Sequence, residues 1–166
     1  MINHGLSTGA LFFLVGMLYE RRHNRLIEAY GGLARVLPLL ATVLTIVSLS
    51  SIGLPGTNGF VGEFLILIGV FRTYPVAATV ATTGVIIAAM YLLWALQRVI
   101  YNQLDKPENE KLPDLSLREI VVLAPILAGI FWIGLYPKPI LRRMEPAAQH
   151  LIDTVKPAGA QPAALR

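Results

Sequence analysis

Residues 53–64 read Gly53-Leu54-Pro55-Gly56-Thr57-Asn58-Gly59-Phe60-Val61-Gly62-Glu63-Phe64. Two opposed signals meet in this stretch. Proline lacks a backbone donor and glycine unwinds cheaply, so 53–59 interrupts a helix. Yet the interruption lies inside 36–62, which is 27 consecutive residues without a formal charge. A segment that long and apolar belongs in a bilayer, where the backbone must satisfy its own polar groups as helix. Two arrangements fit. One is a single discontinuous span with half-helices at about 36–53 and 59–73. The other is two short complete spans joined by a tight turn.

Further charge-free intervals lie on either side. Residues 1–19 carry no formal charge, 73–97 are 25 uncharged positions, and 120–137 are 18 more. About 20 mainly apolar residues cross the hydrocarbon core. The whole chain agrees: of 166 residues, 55% are hydrophobic and 14% charged, with a mean hydropathy of +0.61. A soluble domain carries about 25% charged residues, and disordered chains are richer still in charge. Zero cysteines exclude a disulfide scaffold, thiolate chemistry and Cys-ligated metal. The net charge of +4 is accounted for by Arg and Lys at membrane flanks and implies no nucleic-acid partner. The N-terminus lacks the basic start and small-residue cleavage site of a signal peptide. It runs instead from Gly5–Leu18 straight into Tyr19-Glu20-Arg21-Arg22-His23, a membrane helix entering a charged loop. With almost no flank before that helix, the chain is expected to begin mid-protein.

The expected fold is therefore all-α: a polytopic membrane protein with four transmembrane spans, at about 2–18, 36–73, 76–98 and 118–136, the second broken at 53–59. Residues 1–140 would form the transmembrane bundle and 141–166 an extramembrane tail. Within that tail 146–155 can form a short surface helix. The positive-inside rule does not favour the broken span. It leaves eight of the 14 cations on one side and six on the other, whereas two complete spans divide them ten to four.

Glu63 is the strongest candidate for chemistry. It follows the Gly/Pro break by about one turn among Phe60, Val61, Phe64, Leu65 and Ile66. A carboxylate at membrane depth costs roughly 2.5–3.5 kcal/mol on insertion scales, and intramembrane ionisable groups mark ion pathways. The plain structural alternative is a helix-start carboxylate favoured by the macrodipole. His4 can titrate near neutral pH and pass protons between its two nitrogens, or it can simply bond a neighbouring helix. Ser7 and Thr8, three and four positions on, share its helix face and can extend a polar track. Pro55, Gly56 and Thr57 form the break, whose free backbone groups can meet ions or water. Gly5, Gly9 and Gly16 suit close helix packing. Thr42, Thr45, Ser48, Ser50 and Ser51 either line a hydrated path or bond back to the helix backbone. Tyr91, Trp94, Trp132 and Tyr136 fit interfacial anchors. The sequence shows no phosphate loop, nucleophile triad or metal-spaced His pair.

The segments His4–Phe13, Gly16–Arg21 and Tyr30–Leu33, together with Gly53–Phe64, resemble the antiporter-like membrane subunits of respiratory complex I, the proton-translocating NADH:quinone oxidoreductase. Within that family they are most similar to the C-terminal part of subunit M (chain 4). The resemblance runs from residue 1 to about 140. Subunits L and N and many Mrp-type antiporter subunits place Lys where Glu63 stands, so Glu63 points to M.

The resemblance implies spans 11 to 14 of about fourteen, with a broken twelfth helix that overrides the charge count. It implies that Glu63 and His4 act as proton-relay residues, Glu63 in the outer half of the path and His4 on the central axis. It also implies a bacterial inner-membrane location, with loops 19–35 and 99–117 cytoplasmic and the tail outside. No cofactor is expected in this chain. NADH, FMN, iron–sulfur clusters and quinone belong to partner subunits, and partners would be other complex I membrane subunits, the missing N-terminal part and the lipid bilayer. The Glu and Lys residues of the family's earlier helices are absent, so this chain alone cannot form a complete channel. It is expected to be a fragment, a split subunit or the product of a truncated gene. Alternative readings are a subunit of an Mrp-type cation/proton antiporter or membrane hydrogenase, and an inactive structural remnant.

Overall fold

A computed structural model describes residues 1–155 as helices and connecting turns. The chain divides into two compact units, Met1–Leu135 and the segment from Tyr136 onward. The first unit holds α1 (Ile2–Arg22), α2 (Pro38–Ser51), α3 (Asn58–Thr73), α4 (Pro75–Leu96) and α5 (Leu117–Leu135). Among the described residues, three stretches are long and apolar enough to cross a membrane: Ile2–Arg22, Pro75–Tyr101 and Leu117–Leu135. The 14 residues of α2 and 16 of α3 rise about 21 and 24 Å at 1.5 Å per residue. Each falls short of the roughly 30 Å hydrocarbon core. The protein is thus an all-α polytopic membrane protein whose second span is broken between α2 and α3.

Local chemistry sets these boundaries. Helix α1 ends on Arg21 and Arg22, cations suited to a helix C-terminus, with His23 at φ 48° closing it. Pro38 opens α2 at a first-turn position, where its missing donor costs nothing. No neighbouring side chain caps that end. Asp114, from a distant loop, accepts from the backbone N–H of Leu39 at 2.8 Å and Leu40 at 3.1 Å, satisfying donors that a local N-cap would otherwise take. Pro75 opens α4 one residue after Tyr74 closes α3. Past Leu96 the α4 backbone continues as a π-helical turn, Gln97–Tyr101, where Arg98 stacks on Trp94 with 4.3 Å to the ring centroid. Ser116 and Glu119 cap each other's backbone N–H at the start of α5.

The core runs from α1 through α2 to α5: Ala10, Leu14, Leu37, Leu40, Val47, Leu123 and Ile130 are fully or almost fully buried. Most of α4 is exposed, apolar surface, including Ile86, Ile87, Met90 and Trp94, as suits a helix facing lipid or other apolar helices. Loops 19–35 and 99–117 pack at one end of this unit. Arg21 donates to the carbonyls of Pro113 and Asp114 and to both carboxylate oxygens of Glu119, at 2.7–3.1 Å. Arg22 donates to Asn109 Oδ1 at 2.9 Å, and Asn109 Nδ2 in turn donates to Ala29 O. Burial pushes the phenol of Tyr30, in the same group of loops, above its ordinary range.

Two expectations need correction. The surface helix expected over 146–155 is one part of a longer helix, α6 (Lys138–Val155), which passes through Pro146. Ile140, Leu141, Met144, Leu151, Ile152 and Val155 repeat along it at helical spacing, so an apolar stripe propagates the helix across a residue that lacks one donor. Gly5, Gly9 and Gly16, expected at close helix contacts, would each meet nothing within 4 Å among the described residues if given a Cβ. The close approaches belong to other glycines. A Cβ at Gly59 would overlap Ser50 O, where α3 crosses α2, and one at Gly134 would overlap Gly56 O, where α5 meets the break.

Candidate functional site

The break is an ordered turn. Helix α2 ends in a Schellman motif: Leu54 N–H donates to Leu49 O at 3.0 Å and Gly53 N–H to Ser50 O at 3.2 Å. Gly53 sits at φ +78° in the left-handed position that this motif requires. Pro55 and Gly56, the latter at φ +92°, carry the chain to Thr57. The Thr57 hydroxyl and N–H both donate to Leu54 O, at 2.6 and 3.1 Å, and α3 begins at Asn58.

Asn58 is completely buried and joins three helices. Its Oδ1 accepts from Ser50 Oγ at 2.7 Å and from Ser7 Oγ at 3.1 Å, and its Nδ2 donates to Asn3 O at 2.9 Å. Ser7 and Ser50 hydroxyls lie 3.2 Å apart. The first turn of α1, the end of α2 and the start of α3 are therefore tied by one amide. Gly62, one turn along α3, lies against the Asn3 side chain, 2.9 Å from where its Cβ would stand.

Glu63 occupies the next position, half-buried. Its carboxylate folds back over the break, with Oε2 2.7 Å from the position of a Cβ built on Gly53. It makes no hydrogen bond or ion pair among the described residues. Phe60 and Phe64 stack beside it, their centroids 4.9 Å apart. One unpaired carboxyl thus lies against the bared end of α2. Such a group can take up and release a proton with little rearrangement of its neighbours.

His4 is exposed on α1, and its Nδ1 meets Thr8 Oγ1 at 3.2 Å. The structure separates the track expected along this face, because Thr8 pairs with His4 while Ser7 turns into the buried amide cluster. No bond among the described residues links His4 to Glu63. Thr42, Thr45 and Ser51 each donate to the carbonyl four residues earlier, which is the backbone-bonding alternative. By sequence alone Asn58 has no role beyond the helix breaker. A usable signal was present, since it is the one asparagine in the charge-free 36–62 block, and amides in apolar spans bond across helices.

Residues 1–89 match the family described as NADH:quinone oxidoreductase/Mrp antiporter, TM. Among similar proteins, NADH-quinone oxidoreductase subunit M of Rhodobacter capsulatus is 41% identical over 153 residues, 92% of this chain and 30% of that protein. Subunit M of Mycobacterium tuberculosis is 40% identical over 93% of this chain and 28% of its own length. Chain 4 of the Arabidopsis thaliana NADH-ubiquinone oxidoreductase is 41% identical, with 92% and 31% covered. A chain in the solved structure of respiratory complex I from Thermus thermophilus with bound NADH superposes with a TM-score of 0.86 at 33% identity, over 93% of this chain and 32% of that one. This chain spans about 30% of the length of the curated relatives it matches. With more than half of its residues inside the family match, the chain belongs to the membrane-subunit family shared by NADH:quinone oxidoreductases and Mrp antiporters.

Proposed function

We propose that this chain is the C-terminal portion of an M-type subunit of a proton-translocating NADH:quinone oxidoreductase, and that it takes part in coupling quinone reduction to proton movement. The observation that carries this is Glu63: a lone, unpaired carboxyl beside a broken membrane helix, in a chain about 40% identical to subunits M and 4. Glu63 exchanges protons with the outer aqueous side through the break, and His4 passes them toward the polar axis of the complete subunit. NADH, FMN, iron–sulfur clusters and quinone act in partner subunits, and this chain contributes no redox centre. Its partners are the other membrane subunits and the remaining helices of an M-type subunit. The joined loops 19–35 and 99–117 carry Arg21, Arg22, Arg25, Arg35, Lys106 and Lys111, which favours their placement on the cytoplasmic side of a bacterial inner membrane, with the tail opposite.

Affinity purification of the tagged chain from its native membrane tests this assignment. Recovery of the peripheral, redox-active subunits of an NADH:quinone oxidoreductase is the expected result. Recovery of antiporter subunits without any redox subunit would replace it with the antiporter reading, and recovery of the chain alone would favour a remnant.

A further inference from the structure

Gly53 lies directly beneath the Glu63 carboxylate. The turn alone gives it one reason to be glycine, since φ +78° is the left-handed region that disfavours a Cβ. The carboxylate supplies a second, separate reason. A Cβ at residue 53 would stand 2.7 Å from Glu63 Oε2, against at least 3.4 Å for ordinary contact, and 3.6 Å from Glu63 Cδ. The two reasons make different demands. Asparagine tolerates the left-handed backbone far better than alanine does, yet both carry the Cβ that meets the carboxylate.

We propose that Gly53 is a positioning residue for the proton-carrying carboxyl: its bare Cα forms the seat on which the Glu63 side chain folds back over the end of α2. This rests on the proton-relay reading of Glu63. The seat couples break and carboxyl mechanically. Helix α2 must end where it does, and must end in glycine, for the carboxyl one turn into α3 to reach the gap. With the seat filled, the carboxylate must clear an overlap of about 0.7 Å, the difference between 2.7 and 3.4 Å, by turning off the end of α2. Proton transfer needs the carboxyl to face the gap within reach, directly or through one water, so a carboxylate turned off its seat loses rate, whereas a shorter one that still faces the gap does not.

The test is a set of variants in the assembled oxidoreductase, reading protons translocated per NADH oxidised and the rate of carbodiimide labelling of Glu63. Gly53→Ala and Gly53→Asn are both expected to lower proton translocation about tenfold and to change labelling at least threefold. Glu63→Asp shortens the side chain by one C–C bond, about 1.5 Å, more than the overlap. Glu63→Asp alone should retain most translocation, and Gly53→Ala combined with Glu63→Asp should recover to near the Glu63→Asp level. Normal translocation in Gly53→Asn would overturn the proposal and leave only the backbone requirement. So would a double variant whose losses simply multiply. If Gly53→Ala fails to assemble, Gly53→Asn, which tolerates the left-handed backbone, decides by its translocation: a loss supports the seat, and a normal value overturns it. Glu63→Gln reports on the underlying reading separately, because normal translocation there removes the relay role itself, whatever residue 53 does.

Discussion

Replacing Asn58 with alanine should loosen the break. The amide makes three hydrogen bonds at 2.7, 2.9 and 3.1 Å from a fully buried position. Each serine hydroxyl has a single proton, so Ser7 and Ser50 both donate to Asn58 and merely abut one another at 3.2 Å. In Asn58→Ala one hydroxyl can turn to the other, recovering one bond, and two are lost outright. At about 1 kcal/mol per net bond, with some packing lost as well, the closed break is weakened by about 2–3 kcal/mol. Interhelical bonds in membrane proteins average nearer 0.6 kcal/mol, which sets a floor of about 1 kcal/mol. The chain has no cysteine, so a single Thr57→Cys substitution supplies a clean reporter at a position only 2% exposed. Its thiol reacts with a maleimide when the break opens. Since 1.4 kcal/mol is a factor of ten, Asn58→Ala should speed labelling roughly 30- to 150-fold, and no less than about fivefold. Ser7→Ala, which strands no second group, should speed it only about threefold. An Asn58→Ala rate within twofold of the parent would refute the role of this amide in holding the break closed.

Three further outcomes follow from the packing. Arg21 and Glu119, with side chains 9% and 15% exposed and joined by two bonds, should show a coupling of at least about 1 kcal/mol in a double-mutant cycle on thermal unfolding, with either single alanine more damaging than a surface pair would be. Asp114→Ala removes the cap of α2 and should cost about 1 kcal/mol in the same melt, whereas Asp114→Asn, which retains an acceptor, should cost less than half of that. Gly59→Ala drives a methyl group into the Ser50 carbonyl, a backbone atom that cannot move aside, and should abolish assembly into the membrane complex as judged by native gel.

The spans were legible because charge marks their ends. The uncharged interval 73–97 and the helix Pro75–Leu96 nearly coincide, since Pro75 starts the helix and the first charge lies beyond its end. The π-turn to Tyr101 was not legible, because Arg98 reads as the end of the span at 76–98 until its stacking on Trp94 is known. The break was anticipated at 53–59 and lies between Ser51 and Asn58. The shift at its far end arises because Thr57, extended, serves as the N-cap and Asn58 is already helical. Partners distant in sequence were the harder part. Ser7 and Asn58 are 51 residues apart, and Asp114 caps a helix 75 residues earlier. Neither pairing has a local pattern to betray it. The glycines show the same limit: Gly5, Gly9 and Gly16 have the spacing of a packing face, but which helical glycines meet a backbone depends on how helices cross, and around the break those are Gly59 and Gly134.

Proton translocation per NADH by the assembled oxidoreductase carrying Glu63→Gln is the most direct test of the account. Glutamine keeps the volume and polarity of the side chain and removes its ability to take up and release a proton. The stoichiometry should fall with assembly unchanged, and Glu63→Asp should keep most of it. A Glu63→Gln complex that assembles and translocates at the full stoichiometry would contradict the account.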